Sequence, residues 1–193
     1  TLGFRSYLKT SNYAKLTFEY HNISEFRRGG NLLDLPPHET DITEQTDHQI
    51  NGGGLKFDLF SKNERHRLSV YTSAQHTKRQ SYYGAGHDPN AYGSTTDMTF
   101  VGGSQYNYES ERCLFMPATF TGGMEYSYDD LQDRMLGYNR TISQTVHIGS
   151  LFAQNEWKNH YWSLLIGGRL DKHNLMDHVI FSPRANLRYN PTD

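Results

Sequence analysis

The sequence is short of several things that would decide its class quickly. It has 1 cysteine, so no internal disulfide framework and no multi-cysteine zinc site is available. It has no excess of basic residues, with 19 Lys and Arg against 21 Asp and Glu, which argues against a nucleic-acid partner. It has no apolar run near the ~20 residues of a spanning helix. A helical membrane protein is thereby excluded, but a membrane β-barrel is not, because its strands are apolar on one face only. Helical periodicity is nearly absent. No G-x-S-x-G elbow, P-loop or H-E-x-x-H occurs, so an enzyme is not expected and nothing calls for a cofactor. Cys113 stands alone near a turn, and the adjacent Asp129 and Asp130 read as loop charge rather than as a catalytic pair.

What is abundant is Tyr (14), Phe (10) and Gly (17), set in period-2 alternation. Trp162, Leu164, Ile166, Gly168 and Leu170 alternate with Ser163, Leu165, Gly167, Arg169 and Asp171. Phe181, Pro183, Ala185, Leu187 and Tyr189 alternate with Ser182, Arg184, Asn186, Arg188 and Asn190. Successive strand side chains point to opposite faces, so each such segment has one apolar and one polar face. Nine strands are expected, at 2–9, 13–24, 47–60, 65–80, 97–109, 112–128, 143–158, 160–172 and 178–190. Short connections (Thr10–Asn12, Ser61–Glu64, near Ser110–Glu111, Lys158–Asn159) alternate with longer ones at 25–46, 81–96, 129–142 and 173–177. Loop lengths sorted by end, strands of a dozen residues and aromatics near strand ends together fit a barrel in an outer membrane. The fold class expected is all-β, an antiparallel meander forming part of a large transmembrane β-barrel. Arg67, Arg169, Asp171, Arg184 and Arg188 would then line the lumen, since an Arg facing lipid at mid-bilayer costs ~2–4 kcal/mol. In a soluble β-sandwich the same residues would face solvent, because alternation gives two faces without saying which is wet.

The C-terminal third carries a resemblance. Phe152-Ala153-Gln154-Asn155-Glu156-Trp157, then Gly167-Gly168-Arg169-Leu170-Asp171, then Ser182-Pro183-Arg184-Ala185-Asn186-Leu187-Arg188-Tyr189-Asn190-Pro191-Thr192 resembles the mid-barrel strands of TonB-dependent outer-membrane receptors. Upstream the likeness rests on the strand-and-loop rhythm. The resemblance implies a barrel of about 22 strands around a plugged lumen. It also implies a location in the bacterial outer membrane, and active import of a scarce nutrient (iron–siderophore, haem or cobalamin) with energy from the TonB system. No plug domain is visible, and nine strands fall short of a full barrel. Residues 1–193 are therefore expected to be a single barrel segment, cut from a longer chain and prone to self-association when isolated. Its partners would be the nutrient complex, outer-membrane lipid, and the plug and TonB of the complete receptor. The alternative is a soluble secreted β-sandwich that binds carbohydrate or protein through aromatic loops.

The long loops hold the candidate site. Tyr82, Tyr83, His87, Asp88 and Tyr92 crowd polar and aromatic groups into one loop at the expected mouth, and are assigned to substrate binding. Asp88-Pro89-Asn90 also reads as plain turn chemistry. His38 and His87 could pair on a haem iron. Asp34, Glu39 and Asp41 could hold Ca²⁺, although without EF-hand spacing, and a solvated acidic loop is the simpler account. No metal site is assigned.

Overall fold

The computed structural model describes residues 1–191, so Thr192 at the end of the family-like motif lies outside the described residues. Nine strands run in chain order: β1 Leu2–Ser11, β2 Ala14–Gly30, β3 Ile42–Phe60, β4 His66–Ala85, β5 Tyr92–Cys113, β6 Met116–Met135, β7 Arg140–Lys158, β8 Trp162–His173 and β9 Val179–Tyr189. Each pairs antiparallel with the next in a single sheet, and among the described residues β1 and β9 are paired on one side only. Two short 3-10 turns, Pro37–Glu39 and Leu136–Tyr138, are the only helical pieces described. The all-β antiparallel meander stands as expected, and it is one sheet rather than a sandwich.

The strand bounds need correction at one end. β2 runs on to Gly30, β3 starts at Ile42, β4 reaches Ala85 and β5 starts at Tyr92. The first three long connections therefore shrink to 31–41, 86–91 and 136–139, while the fourth, 174–178, keeps its expected length. The cause is physical. In these added stretches the alternation of apolar and polar residues stops while the backbone ladder continues, so pairing rather than pattern decides the strand. Ser94, Thr95, Thr96 and Asp97 on β5 face Arg134, Asp133, Gln132 and Leu131 on β6 in unbroken register. A second correction concerns the turn placed near Ser110–Glu111. The register shifts between Ser110 and Cys113, and the strand ends only there; the chain reverses at Leu114, whose φ is 63°.

Burial is inverted relative to a soluble fold. Thr17, Asp58, Ser69, Asp133, Ser150 and Ser163 are buried, while Val70, Met124, Ile166, Phe181 and Leu187 are exposed. Neighbours in sequence show it most plainly: Ser150 is 5% accessible and Leu151 58%. The polar face is crowded and the apolar face is open, as on the inner and outer walls of a curved sheet. On β6 the open face carries Phe120, Met124, Tyr126 and Tyr128, so the apolar stripe covers residues 118–128. That matches the ~9–11 residues a tilted strand needs to cross a bilayer. Everything from Asp129 to Met135 projects beyond it. Pro183, which has no ladder donor, sits on β9, opposite Gly168.

Candidate functional site

Side chains on the polar face reach past their neighbouring strands. The Tyr71 hydroxyl on β4 crosses β5 and donates to Glu125 on β6 at 2.7 Å. It can do so because Gly103 lies beneath it: a Cβ there would sit 2.8 Å from the Tyr71 hydroxyl oxygen and 2.8 Å from the Met124 carbonyl oxygen. Arg169 on β8 donates to Glu125 at 3.1 Å, to Asp171 at 2.8 Å and to Ser150 on β7 at 2.8 Å. Ser150 in turn donates to Asp171 at 2.6 Å. One guanidinium thus ties β6, β7 and β8 and holds two carboxylates. Tyr71, Glu125 and Arg169, with Gln105, Gln154 and Arg184, wall an open concavity of about 660 Å³. Nearer the short-turn end, Asp58 accepts from Ser69 at 2.5 Å and from Lys56 and Arg67, each at 3.2 Å.

A third carboxylate cluster occupies the projecting rim on the same face. Asp133 accepts from the Thr95 hydroxyl at 2.6 Å, from Arg140 at 2.7 Å and from Arg79 at 3.4 Å. The Thr95 hydrogen bond and the two guanidinium groups hold its carboxyl below the ordinary Asp range, against the opposing effect of burial. Close by, Asp97 is pushed the other way by burial and by the charges of Asp129 and Asp130.

The five residues assigned to substrate binding divide. Tyr82 and Tyr83 are adjacent strand residues of β4, so they point to opposite faces. Tyr82 is on the apolar-side face and is 1% accessible. Its hydroxyl donates to the Asp88 backbone carbonyl at 2.9 Å, and its ring meets Tyr92 edge-on at 4.9 Å. Burial foremost, then the charges of Asp88 and Tyr92, raise its pKa. The Tyr92 hydroxyl bonds His38 Nδ1 at 2.8 Å. The Asp88 carboxylate accepts the Asn90 N–H at 2.8 Å, capping its own turn. Gly86 and His87 both adopt left-handed backbone, with φ of 70° and 62°. This aims their N–H groups at the carbonyls of Asp41 and Thr40, at 2.7 and 3.3 Å. His87 Nε2 also lies 3.3 Å from the Asp41 carboxylate, with both side chains well exposed.

The structure therefore brings Tyr82, Tyr92 and the Asp88 backbone together, joined by His38, and fastens His87 to Asp41. Connections 31–41 and 86–91 are zipped into one unit, with Thr40 and Thr43 buried beneath and sharing a 2.6 Å hydrogen bond. Tyr83 stands apart on the polar face. His38 and His87 are engaged with different partners, Tyr92 and Asp41. Among the described residues no group of three or more His, Cys, Asp or Glu is gathered as metal ligands. Sequence reasoning did not single out Tyr71 and Glu125. Their signal was Tyr71 on a polar face of Arg and Ser, in register with a Gly-Gly pair, which needs strand pairing to be read.

An all-antiparallel sheet with a hydrogen-bonded polar inner wall and an apolar outer belt defines a membrane-barrel wall. The whole chain, residues 1–193, matches the family described as TonB dependent receptor-like, beta-barrel. The chain belongs to that family, whose proteins reside in the outer membrane. Among solved structures it is similar to the outer membrane transporter YddB from Escherichia coli, with TM-score 0.66 and 12% identity over 94% of this chain and 28% of that one. It is also similar to the siderophore receptor PirA from Acinetobacter baumannii, with TM-score 0.71 and 12% identity over 99% of this chain and 31% of that one. At such identity the likeness is one of fold. The chain spans about three-tenths of the length of each. Comparison with curated proteins yields no match.

Proposed function

We propose that residues 1–193 form a nine-stranded stretch of the barrel wall of an outer-membrane receptor that binds a scarce nutrient and imports it actively, with energy from the TonB system. The supporting observation is the inverted sheet: a lumen wall of bonded carboxylates and guanidiniums, an apolar belt one bilayer tall, and a polar rim beyond it. An iron–siderophore complex, haem and cobalamin are the cargo classes in view. The neighbour described as a siderophore receptor favours the first. The plug would fill the lumen against the Glu125–Arg169 wall. Tyr82, Tyr83, His87, Asp88 and Tyr92 contribute to the external surface that meets cargo, with Tyr83 on the channel side and the other four in the zipped loop unit.

The test is uptake by whole cells. The receptor carrying this chain is expressed in a strain stripped of its own nutrient receptors, and labelled iron–siderophore, haem and cobalamin are offered separately. One of them should accumulate, and accumulation should stop when TonB is deleted. Uptake that persists without TonB overturns the energy coupling. Replacing 86–91 with Gly and Ser should weaken cargo binding while the barrel still assembles. Unchanged binding of the imported cargo would remove that loop from the site.

A further inference from the structure

Two histidines on the apolar face repeat one arrangement at opposite ends of the belt. At the short-turn end, His66 Nδ1 bonds the Tyr106 hydroxyl at 2.6 Å, and its ring stacks on Tyr108 at 4.8 Å. At the rim end, His147 Nδ1 bonds the Tyr126 hydroxyl at 2.6 Å, and its ring lies 5.1 Å from Tyr128. In each case the tyrosine beside the imidazole, stacked at His66 and tilted by 60° at His147, is the direct cross-strand partner, and the bonded one lies two residues away on the same strand.

The backbones are held alike. The His66 N–H donates to the Ser61 hydroxyl at 3.0 Å, and its carbonyl accepts the Ser61 N–H at 3.0 Å. The His147 N–H donates to the Asn174 side-chain oxygen at 2.9 Å, and its carbonyl accepts the Asn174 N–H at 3.0 Å. A turn residue thus clasps each histidine from behind while a Tyr-x-Tyr pair fixes its ring in front.

The chemistry of the pair sets the tautomer. Phenol is the better donor and imidazole nitrogen the better acceptor, so the Tyr O–H donates to Nδ1 and the ring proton resides on Nε2. Tyr108 on β5 pairs with Phe120 on β6, and His147 on β7 pairs with Tyr128, so along β6 the two sites are in register with positions 120 and 128. From 120 to 128 is ~26 Å at the usual strand rise. At a tilt of ~35–45° that is ~20 Å across the membrane, close to the apolar band of an outer-membrane barrel. Both histidines are thus in register with the two ends of the β6 apolar stripe, toward the levels where hydrocarbon gives way to head groups. Such a level suits aromatic rings that are apolar in body and polar at the tip.

We infer that His66 and His147 are lipid head-group ligands, each presenting a fixed Nε2–H donor to a phosphate oxygen, one at each boundary of the membrane. Each ring is already held by its Nδ1 hydrogen bond and the adjacent tyrosine ring, so binding a phosphate need not order it again. A further His–Tyr hydrogen bond, His38 to Tyr92, lies in the zipped loops above the belt and has no such role.

The inference rests on the chain forming part of a membrane barrel. It is tested with the complete receptor in vesicles of phosphatidylethanolamine and phosphatidylglycerol, with isotopically labelled histidine observed by solid-state NMR. His66 and His147 should both show the Nε2–H tautomer and a dipolar contact from Nε2 to lipid phosphorus. Tyr106→Phe should lose the contact at His66 alone, and Tyr126→Phe at His147 alone, each leaving the other as internal control. Wild-type receptor that is inserted and protease-protected, yet shows no phosphorus contact at either histidine, overturns this inference and leaves the barrel intact. Contacts fully kept in both Phe variants overturn it as well. Failure to insert would overturn the barrel reading, and this inference with it.

Discussion

Asp133 is the most exacting point at which to test the rim. Its side chain is 7% accessible and holds two arginines from different strands, Arg79 on β4 and Arg140 on β7. Asp133→Asn keeps the shape and one acceptor oxygen but removes the charge. Hydrogen bonds to a charged group contribute roughly 1.5–3 kcal/mol each, and neutral ones about half as much. Two of the three bonds to Asp133 are short, and the third, at 3.4 Å, adds little. Arg140 is half exposed and rehydrates easily, which pulls the total to the low end. A loss of about 2 kcal/mol in the local opening of the rim follows, or about 30-fold faster amide exchange at 1.4 kcal/mol per decade. The assay is native-state hydrogen exchange on the solubilised receptor, comparing 94–97 and 131–135 with the belt at 120–128. The rim should quicken and the belt should not. Acidity gives a second readout. The folded state holds the Asp133 proton less tightly than the unfolded state, so its contribution is full above the ordinary Asp value of 3.8. It fades as pH falls through that value to the lower folded one, and this decline should vanish in the Asn variant. Rim exchange unchanged by Asp133→Asn, or a belt that quickens equally, would refute the reasoning.

Gly103→Ala should cost about 1–3 kcal/mol, because the new methyl meets the Met124 backbone carbonyl and the Tyr71 hydroxyl at 2.8 Å each. Chemical denaturation of the receptor measures this, and Tyr71→Phe in the same chain should recover part of it. Orientation is testable by thiol labelling of intact cells in a Cys113→Ser background, with His87→Cys expected to label and Asn63→Cys to be protected; the reverse pattern inverts the assignment. Met124→Arg places a charge on the exposed middle of the apolar belt and should cost ~2–4 kcal/mol in lipid, with little effect if that face were wetted. The isolated chain should self-associate or require detergent, since β1 and β9 each leave an edge unpaired among the described residues and the apolar face is open. Light scattering in detergent-free buffer decides, and a clean monomer counts against it.

The fold was legible wherever lipid imposes its pattern. Leu164, Ile166 and Leu170, or Leu16 and Phe18, stand out against polar neighbours because one face must be apolar, and those strands fall where alternation puts them. Legibility failed where that pressure ends. From Asp129 to Met135, and from Ile42 to Thr46, neither face is selected for lipid, and a polar strand looks like a polar loop. Strand there is decided by the register inherited from below, a non-local property that no window of sequence carries.

The same limit governed the site. Tyr82, Tyr83 and Tyr92 read as one aromatic loop because they are near in sequence, yet all three are strand residues and Tyr83 faces away from the other two. Composition identified the right neighbourhood, but the parity of each position along its strand decides which side of the wall it serves. Parity also explains the two features that went unread. Tyr71 reaches Glu125 only because Gly103 is the residue its strand meets in register. His66 and His147 find their tyrosines only because each lies opposite the second member of a Tyr-x-Tyr pair. In a sheet that exposes its apolar face and buries its polar one, function is therefore written across strands at one height rather than along any one of them. A one-residue slip in register would carry every one of these groups to the wrong side of the membrane wall.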